Sequence, residues 1–304
     1  MSKPTLKIND NDIENTCRTL GLTELLVFLR DSNLFSVEYH NERIKAGKGQ
    51  RATLLYYNDK KVYLDLWEYS MPTYTMQTYN ANPDLIIKLQ HRPMLINRFE
   101  KVCSRKKMLQ TLTPEQRKEY LRKIVPWTFF PSRMFKQFVG KEDEIEQLPV
   151  ERLGFFCGKM WKCRGGIKSS LEKQIEFVKS SQELVRKGRP LSDEEYLYKM
   201  KTSKYGICLH GRGSHFTEAK NRREIDYMIL KKPLVMNYKP NYYNPLEAGK
   251  HFIYIDEKTD LENLENMYNI DEIAKNGYEW YKDNASPMGA ANTFLKIMTD
   301  RFGE

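Results

Sequence analysis

Residues 203–236 read SKYGICLHGRGSHFTEAKNRREIDYMILKKPLVM, and this stretch determines the fold class that we predict. The apolar run from Tyr205 to Leu209 predicts a buried strand, and a helix is expected from about Thr217 to Leu230. The run from Pro233 to Met236 predicts the next strand. Because strand, helix and strand follow one another, we expect a parallel pair joined by a crossover helix, the unit of α/β folds.

Strands and helices alternate along the rest of the chain. Apolar runs predict strands at Ala52–Tyr57 and Val62–Trp67, with a turn over Asn58–Lys61. In the second half, a strand is expected at Leu153–Cys157 and a helix at Ile167–Lys187. Both halves therefore indicate parallel sheets with crossover helices.

One helix start is explicit in the sequence. Thr113 is expected to cap the helix, Pro114 to be its first residue, and Gln116 to complete a capping box. We expect this helix to end near Lys123.

The acidic, polar stretch at 140–150, GKEDEIEQLPV, predicts a link between two domains. A chain of 304 residues suits two domains, because a single core seldom grows much past roughly 250 residues. We expect domains at 1–149 and 150–285, and a C-terminal helix at 286–304.

The charge balance leaves several classes of partner open. The 50 basic and 40 acidic residues give a net charge of +10, which fits an ordinary basic protein or one that binds phosphates, nucleic acid or an anionic membrane surface. Basic and acidic residues are mixed over most of the chain, and no long Lys/Arg tract occurs. A nucleic-acid-binding arm is therefore not indicated.

Cysteine usage and the first residues predict the compartment. The five cysteines are odd in number and form no CxxC pair, so a disulfide framework or a zinc site is not expected. The polar start MSKPTLKINDNDIEN does not resemble a signal peptide, and no apolar run approaches a membrane-spanning length. We therefore expect a cytoplasmic protein without a transmembrane segment.

Two glycine-containing, cationic loops follow predicted strands, where open parallel sheets bind ligands. They are GKMWKCRGG at 158–166 and GRGSH at 211–215. Glycines let the backbone approach a ligand, and a helix N-terminus favours phosphate. The candidate anion-binding residues of these loops are Lys159, Lys162, Arg164, Gly211, Arg212, Gly213, Ser214 and His215. Neither loop has the spacing of a P-loop, and Phe216 takes the third glycine position of GxGxxG, so an NTPase or dinucleotide enzyme is not supported.

Glu224 lies in the predicted helix after the second loop. A glutamate there can accept hydrogen bonds from vicinal hydroxyls, such as those of a ribose. The alternative is a solvated helix surface carrying an i,i+4 pair, for example Glu218 with Arg222. The residues by themselves leave both interpretations open.

The stretch at 203–236, together with NPLEAGKHFIYID at 244–256, resembles the donor-binding half of GT-B glycosyltransferases. It is most similar to the exostosin-type and capsule-type (O-glucosyl/xylosyltransferase-like) members, and the resemblance covers about 150–284. The matching features are Gly211-Arg212-Gly213, Arg223-Glu224, Pro233-Leu234-Val235, Leu246, Gly249, His251 and Phe252. One departure is Lys231-Lys232, where the family has a small residue and a glycine.

The resemblance implies an α/β protein of two Rossmann-like domains that face each other across a cleft, with a final helix crossing back to the first domain. It implies transfer of a hexose or pentose from a UDP- or GDP-sugar to a hydroxyl of a glycan or glycoprotein. Arg212 and Arg223 would face the diphosphate and Glu224 the nucleoside. No further cofactor and no nucleic acid would be required, and the domain at 1–149 would bind the acceptor.

A general base is expected at the end of a strand in the first half. Asp65 and His91 are the candidates, against the alternatives of a strand-edge acid and an ordinary loop histidine. The only DxD sequence, Asp10-Asn11-Asp12, fits a helix cap better than a metal site, so no metal ligand is assigned. Two other functions remain open: a nucleic-acid-associated basic binding protein, and an inactive glycosyltransferase-like interaction module.

Overall fold

The structure is a computed structural model of the chain. It describes 3–9, 22–42, 52–65, 79–89, 112–128, 131, 135–158, 167, 170–179, 191–209 and 222–303. The chain forms two compact units. The first comprises Met1–Phe129, Asn241–Tyr243 and Pro287–Glu304, and the second comprises Phe130–Pro240 and Asn244–Ser286.

The first unit contains six of the described strands and three of the described helices. They are β1 (Thr5–Asn9), α1 (Leu22–Asp31), β2 (Ser36–His40), β3 (Ala52–Tyr57), β4 (Lys60–Asp65), β5 (Leu85–Lys88), α2 (Pro114–Arg122), β6 (Ile124–Pro126) and α7 (Pro287–Phe302).

The first sheet has the order β2-β1-β3-β4-β5-β6 among the described strands. All neighbours run parallel except β3, which is antiparallel to both β1 and β4. The general expectation of parallel sheets in both halves does not hold for β3. The predicted turn between β3 and β4 joins them as a hairpin, because a turn at Asn58 and Asp59 is too short for a crossover. Asn58 has a φ of 50°, a left-handed conformation that asparagine tolerates.

The start of α2 confirms the predicted capping box. The hydroxyl of Thr113 accepts the backbone N–H of Gln116, and the Gln116 side chain accepts the backbone N–H of Thr113. Tyr120 is the buried residue of this helix, and it packs with Tyr63 and Ile86 in the core beneath the sheet.

The C-terminal helix α7 packs within the first unit, against α1. Phe294 meets Phe35 edge to face at 5.9 Å, and Phe302 stacks on Tyr57 at 6.4 Å. Arg301 Nη2 donates to the carbonyl of Arg122 at 2.7 Å. These contacts join the end of the chain to its first half.

The second unit contains two short 3-10 turns, five described strands and four described helices. They are the turns Lys136–Phe138 and Glu142–Glu144, followed by β7 (Arg152–Gly158), β8 (Glu176–Lys179), α3 (Asp193–Lys201), β9 (Ser203–Cys208), α4 (Arg222–Ile229), β10 (Leu234–Met236), β11 (Phe252–Tyr254), α5 (Leu264–Met267) and α6 (Ile270–Asn284).

The described strands of the second sheet are all parallel, in the order β11-β10-β9-β7-β8. The parallel pairing of β9 with β10 around α4 confirms the unit predicted from 203–236. Helix α4 lies close to β9: a Cβ on Gly206 would lie 2.6 Å from Cγ of Tyr227. Only glycine permits this approach.

The helix predicted at 167–187 is wrong over part of its length. Residues Glu176–Lys179 form β8, which pairs in parallel with β7 from Phe155 to Gly158. Ladder hydrogen bonds to β7 and packing of Phe177 against Phe156 outweigh the local helical pattern.

Helix α4 ends in a turn that glycine usually occupies. Lys231 has a φ of 54°. Its backbone N–H donates to the carbonyl oxygen of Met228 at 2.9 Å, and the N–H of Lys232 donates to the carbonyl oxygen of Tyr227 at 3.0 Å. This is the Schellman arrangement, with lysine in the left-handed position. The Lys231 ammonium lies 2.6 Å from Asp143 and 4.7 Å from the ring centroid of Tyr278.

The segment predicted as a link, 140–150, packs on the second unit. Tyr281 donates its hydroxyl to Glu142 at 2.8 Å, and Lys201 lies 3.6 Å from Glu146. Among the described residues, no helix has both the length and the apolar character needed to cross a bilayer.

Candidate functional site

The carboxyl ends of β7 and β9 define the place where ligands are expected in the second unit. Strand β7 lies between β8 and β9, so the strand order reverses at the β7–β9 boundary. In open α/β sheets, ligands bind outside the carboxyl ends of the strands at such a switch point. Strand β7 ends at Gly158 and β9 at Cys208, and the two predicted loops follow these ends in sequence.

Most residues predicted to bind the donor lie outside the described residues. They are Lys159, Lys162, Arg164, Gly211, Arg212, Gly213, Ser214 and His215. Two predicted donor residues, Arg223 and Glu224, are described, and both are on α4.

Arg223 brings its guanidinium to the end of β7. Its Nη2 donates to the carbonyl of Cys157, and its Nε donates to the hydroxyl of Tyr196 at 2.9 Å. The guanidinium carbon lies 4.6 Å from the ring centroid of Phe156. The guanidinium of Arg223 therefore lies in a fixed orientation at the switch point of the sheet.

The surroundings of Arg223 preserve its charge. Burial lowers the pKa of the guanidinium, but its interactions with Tyr196, Tyr227 and Cys208 together raise that pKa by more. Burial raises the pKa of Tyr196 in turn, so its hydroxyl stays neutral at physiological pH. The result is a protonated arginine beside neutral phenols.

Glu224 is buried and not a solvated surface residue. Its side chain is 0% exposed, and its Oε1 accepts a hydrogen bond from the hydroxyl of Tyr238, which is also buried. An exposed i,i+4 charge pair, one interpretation of the sequence, does not describe this carboxylate. Tyr238 follows β10, and no pattern in the sequence paired it with Glu224.

Asp226 is a second buried carboxylate on α4, and the sequence reasoning missed it. It is 3% exposed. Burial raises the pKa of the Cys208 thiol, and the negative charges of Glu224 and Asp226 raise it further. Two acids, one arginine and a neutral thiol thus lie close together between α4 and the end of β9.

Lys136 also approaches α4. Partial burial lowers the pKa of its ammonium group, and the charge of Arg222 lowers it further. The ammonium group of Lys136, in the first 3-10 turn, therefore lies near the guanidinium of Arg222.

In the first unit, Asp65 and Lys88 form a buried ion pair. Lys88 Nζ lies 3.1 Å from Asp65 Oδ1, and these residues end β4 and β5, two neighbouring parallel strands. Tyr120 lies nearby, and burial followed by the charges of Tyr63 and Asp65 raises the pKa of its hydroxyl.

The other residues that bear on catalysis or metal binding in the first half are not described. His91, the second candidate base, lies outside the described residues, as does the Asp10-Asn11-Asp12 sequence. Within the part of the chain that the structure describes, no group of three or more His, Cys, Asp and Glu side chains is arranged to hold a metal ion.

Comparisons by sequence and by structure give different results. No family model matches the sequence, and no curated protein matches it. Among solved structures, a glycosyltransferase from Rickettsia africae ESF-5 is similar at a TM-score of 0.38 and 11% identity, over 78% of this chain and 70% of that one.

Two further solved structures are similar. The pneumococcal O-GlcNAc transferase GtfA, in complex with UDP and GlcNAc, gives a TM-score of 0.38 and 9% identity, over 76% of this chain and 48% of that one. TarM gives 0.35 and 12%, over 76% and 45%. This chain thus spans less than half the length of these two proteins. Similarities of this size assign no function, which must be argued from the site.

Proposed function

We propose that the chain is a glycosyltransferase that moves a hexose or pentose from a UDP- or GDP-sugar to a hydroxyl of a glycan or glycoprotein. One observation carries the proposal: the guanidinium of Arg223 is held at the carboxyl end of β7, at the switch point of a parallel sheet. A diphosphate is the ligand that suits an oriented guanidinium at this place, because the planar fork of arginine binds phosphate oxygens bidentately.

The sequence carries further cations directly after the two strand ends. The two loops that follow β7 and β9 carry Lys159, Lys162, Arg164 and Arg212, and glycines that let the backbone approach a ligand. In this proposal Gly211, Gly213, Ser214 and His215 complete the second loop around the diphosphate. The resemblance assigns Glu224 to the nucleoside side of the donor. Because its carboxylate is buried against Tyr238, this role requires the bond from Tyr238 to be exchanged for one from the ribose.

The chemistry follows from these charges. In sugar transfer the nucleotide leaves as a diphosphate, and negative charge develops on its leaving oxygen. Arginine and lysine side chains aimed at that oxygen stabilise the transition state, the role that a metal ion has in other transferases. We therefore propose a metal-independent transfer in which Arg212 and Arg223 neutralise the leaving group.

The acceptor hydroxyl must lose a proton as it attacks the sugar. We retain Asp65 and His91 of the first unit as the candidate bases. Asp65 also has a structural interpretation, because its ion pair with Lys88 is fully buried at the ends of β4 and β5. Substitution of Asp65 distinguishes the two roles.

Isothermal titration calorimetry with UDP, GDP and a panel of their sugars tests the proposal. We expect binding in the micromolar range, which Arg212→Ala abolishes and Arg223→Lys weakens about tenfold because one point charge replaces a bidentate fork. Arg152→Lys is the matched control. Arg152 begins β7, at the opposite end of the strand from Arg223, and pairs with Glu176 at 3.3 Å.

The same protein preparation decides between the alternatives. Absence of binding to any nucleotide or nucleotide sugar, with tight and salt-sensitive binding to nucleic acid, would support a basic nucleic-acid-associated protein instead. Donor binding with no release of UDP or GDP, with or without acceptor, would indicate an inactive interaction module.

A further inference from the structure

We propose that Tyr196 is a positioning residue, whose hydroxyl orients the guanidinium of Arg223 for the diphosphate before the donor binds. The inference rests on the proposed function and adds to it a residue that the sequence did not indicate. Tyr196 lies on α3, whereas Arg223 lies on α4, and the two side chains meet at the end of β7.

Three contacts restrict how the guanidinium can lie. Nε donates to the Tyr196 hydroxyl at 2.9 Å, while Nη2 donates to the carbonyl of Cys157. Two hydrogen bonds from different nitrogens fix rotation within the plane of the group. The ring of Phe156, 4.6 Å from the guanidinium carbon, restricts the tilt of that plane. Removing the hydroxyl of Tyr196 takes away one of these three restraints.

Tyr196 is itself held in place. Ser192 and Glu195 form a capping box at the start of α3, which fixes the first turn of the helix on which Tyr196 lies. Its ring meets Phe155 edge to face at 5.4 Å. The hydroxyl therefore reaches Arg223 from a fixed ring on a capped helix, as a positioning role requires.

Gly158 leaves the space that the guanidinium occupies. A Cβ at this position would lie 3.3 Å from Arg223 Nη2 and 3.1 Å from Cε1 of Phe156. An alanine would press on both the cation and the ring beneath it. The last residue of β7 is thus part of the same arrangement, and it offers a second way to disturb Arg223 without touching Tyr196.

Tyr196→Phe tests the inference, because it removes the hydroxyl and keeps the ring against Phe155. Calorimetry with UDP, GDP and inorganic diphosphate is expected to show about tenfold weaker binding, and transfer assays a raised KM for the donor with a smaller change in kcat. Tyr198→Phe is the matched control. It lies on the same helix, is 45% exposed, and its hydroxyl bonds Glu151 instead. Its nucleotide affinity should equal that of the unmodified protein.

A double-mutant cycle shows whether Tyr196 acts through Arg223. In an Arg223→Ala background, Tyr196→Phe should have no further effect on diphosphate affinity. If either variant fails to fold, Gly158→Ala gives an independent reading: it should weaken the binding of all three probes by itself. Additive losses from Tyr196 and Arg223, or an unchanged affinity in Gly158→Ala, would contradict the positioning role.

Different results contradict the proposed function and the positioning role of Tyr196. If the unmodified protein binds UDP or GDP and Tyr196→Phe binds equally well with only a lowered melting temperature, Tyr196 is structural and the proposed function stands. If the unmodified protein binds none of the three probes, the proposed function is wrong and the inference falls with it.

Discussion

Lys88 Nζ lies 3.1 Å from Asp65 Oδ1, and neither side chain exposes any surface to solvent. The two residues are direct partners on the parallel strands β4 and β5. Removing one member of a buried ion pair leaves the other charge without compensation in a region of low dielectric. Any catalytic role of Asp65 therefore has to be compatible with its ion pair with Lys88.

Lys88→Met should destabilise the protein by about 3–5 kcal/mol, because it leaves the Asp65 carboxylate buried without its cation. The free energy of unfolding in urea measures the loss. Lys61→Met is the control: Lys61 pairs with Glu42 at 3.3 Å on the partly exposed surface. Its loss should stay below about 1 kcal/mol. Equal decreases in the free energy of unfolding for the two variants would show that the buried pair contributes no more to stability than the surface pair.

Asp65→Asn separates catalysis from stability. If Asp65 is the base, kcat should fall by about 10²–10⁴-fold, the usual contribution of a general base. The double replacement Asp65→Leu with Lys88→Met removes both charges and should recover most of the stability without recovering activity. Recovery of both would leave Asp65 as a structural acid, and His91→Ala would then be expected to show the loss in kcat.

Gly206→Ala should destabilise the second unit by about 1–3 kcal/mol, the usual range for overpacking. The added Cβ would lie 2.6 Å from Cγ of Tyr227, so α4 must move away from β9. Gly277→Ala is the matched control. Its Cβ would meet the carbonyl oxygen of His251 at 3.4 Å and Met228 at 3.7 Å, ordinary contacts or nearly so.

Because Gly277 lies within α6, alanine should stabilise that helix by up to about 1 kcal/mol. Differential scanning calorimetry of both variants measures the contrast. A Gly206→Ala protein as stable as Gly277→Ala would mean that α4 does not pack on β9 as closely as described.

His251 should make stability depend on pH near neutrality. Burial lowers the pKa of its imidazole from the ordinary 6.5, and the charge of Lys250 lowers it further. Its Nδ1 accepts the backbone N–H of Glu247 at 2.9 Å, an arrangement that needs the neutral ring. The unfolded chain therefore binds a proton at a higher pH than the folded chain does.

The sign of this effect follows from proton linkage. The stabilisation is fully present above 6.5 and is lost as the pH falls through the lowered pKa of the folded state. Melting temperatures between neutral pH and pH about 5 should therefore decline less steeply for His251→Gln than for the unmodified protein. Parallel curves would show that His251 does not titrate differently in the two states.

Local features were predicted well from the sequence. The capping box of Thr113 and Gln116 involves neighbouring residues only, and it was confirmed with both of its hydrogen bonds. The strands β3 and β4 and the turn between them were also predicted, because alternating apolar residues and a polar turn are local signals. The expectation of parallel sheets did not hold for β3, because its short turn to β4 and its pairing with β1 make it antiparallel to both neighbours.

Longer-range features were not predictable from residue patterns. The segment at 176–179 was expected to be helical, and only its pairing with β7 makes it a strand. Likewise Lys231 adopts a conformation typical of glycine, held by its turn and by its contacts with Asp143 and Tyr278. Packing partners distant in sequence supply the energy in both cases.

The sequence by itself determined the alternation of strands and helices in the described residues, the cationic stretches that follow β7 and β9 in sequence, and the choice of Arg223 and Glu224 as candidate residues. Tertiary structure alone decided that Glu224 is buried against Tyr238, and that Arg223 lies between Tyr196 and the carbonyl of Cys157. The physical reason is the range of the interactions. Hydrophobic periodicity and capping depend on neighbouring residues, whereas hydrogen bonds and ion pairs of buried charges form between strands and helices that only the folded chain brings together.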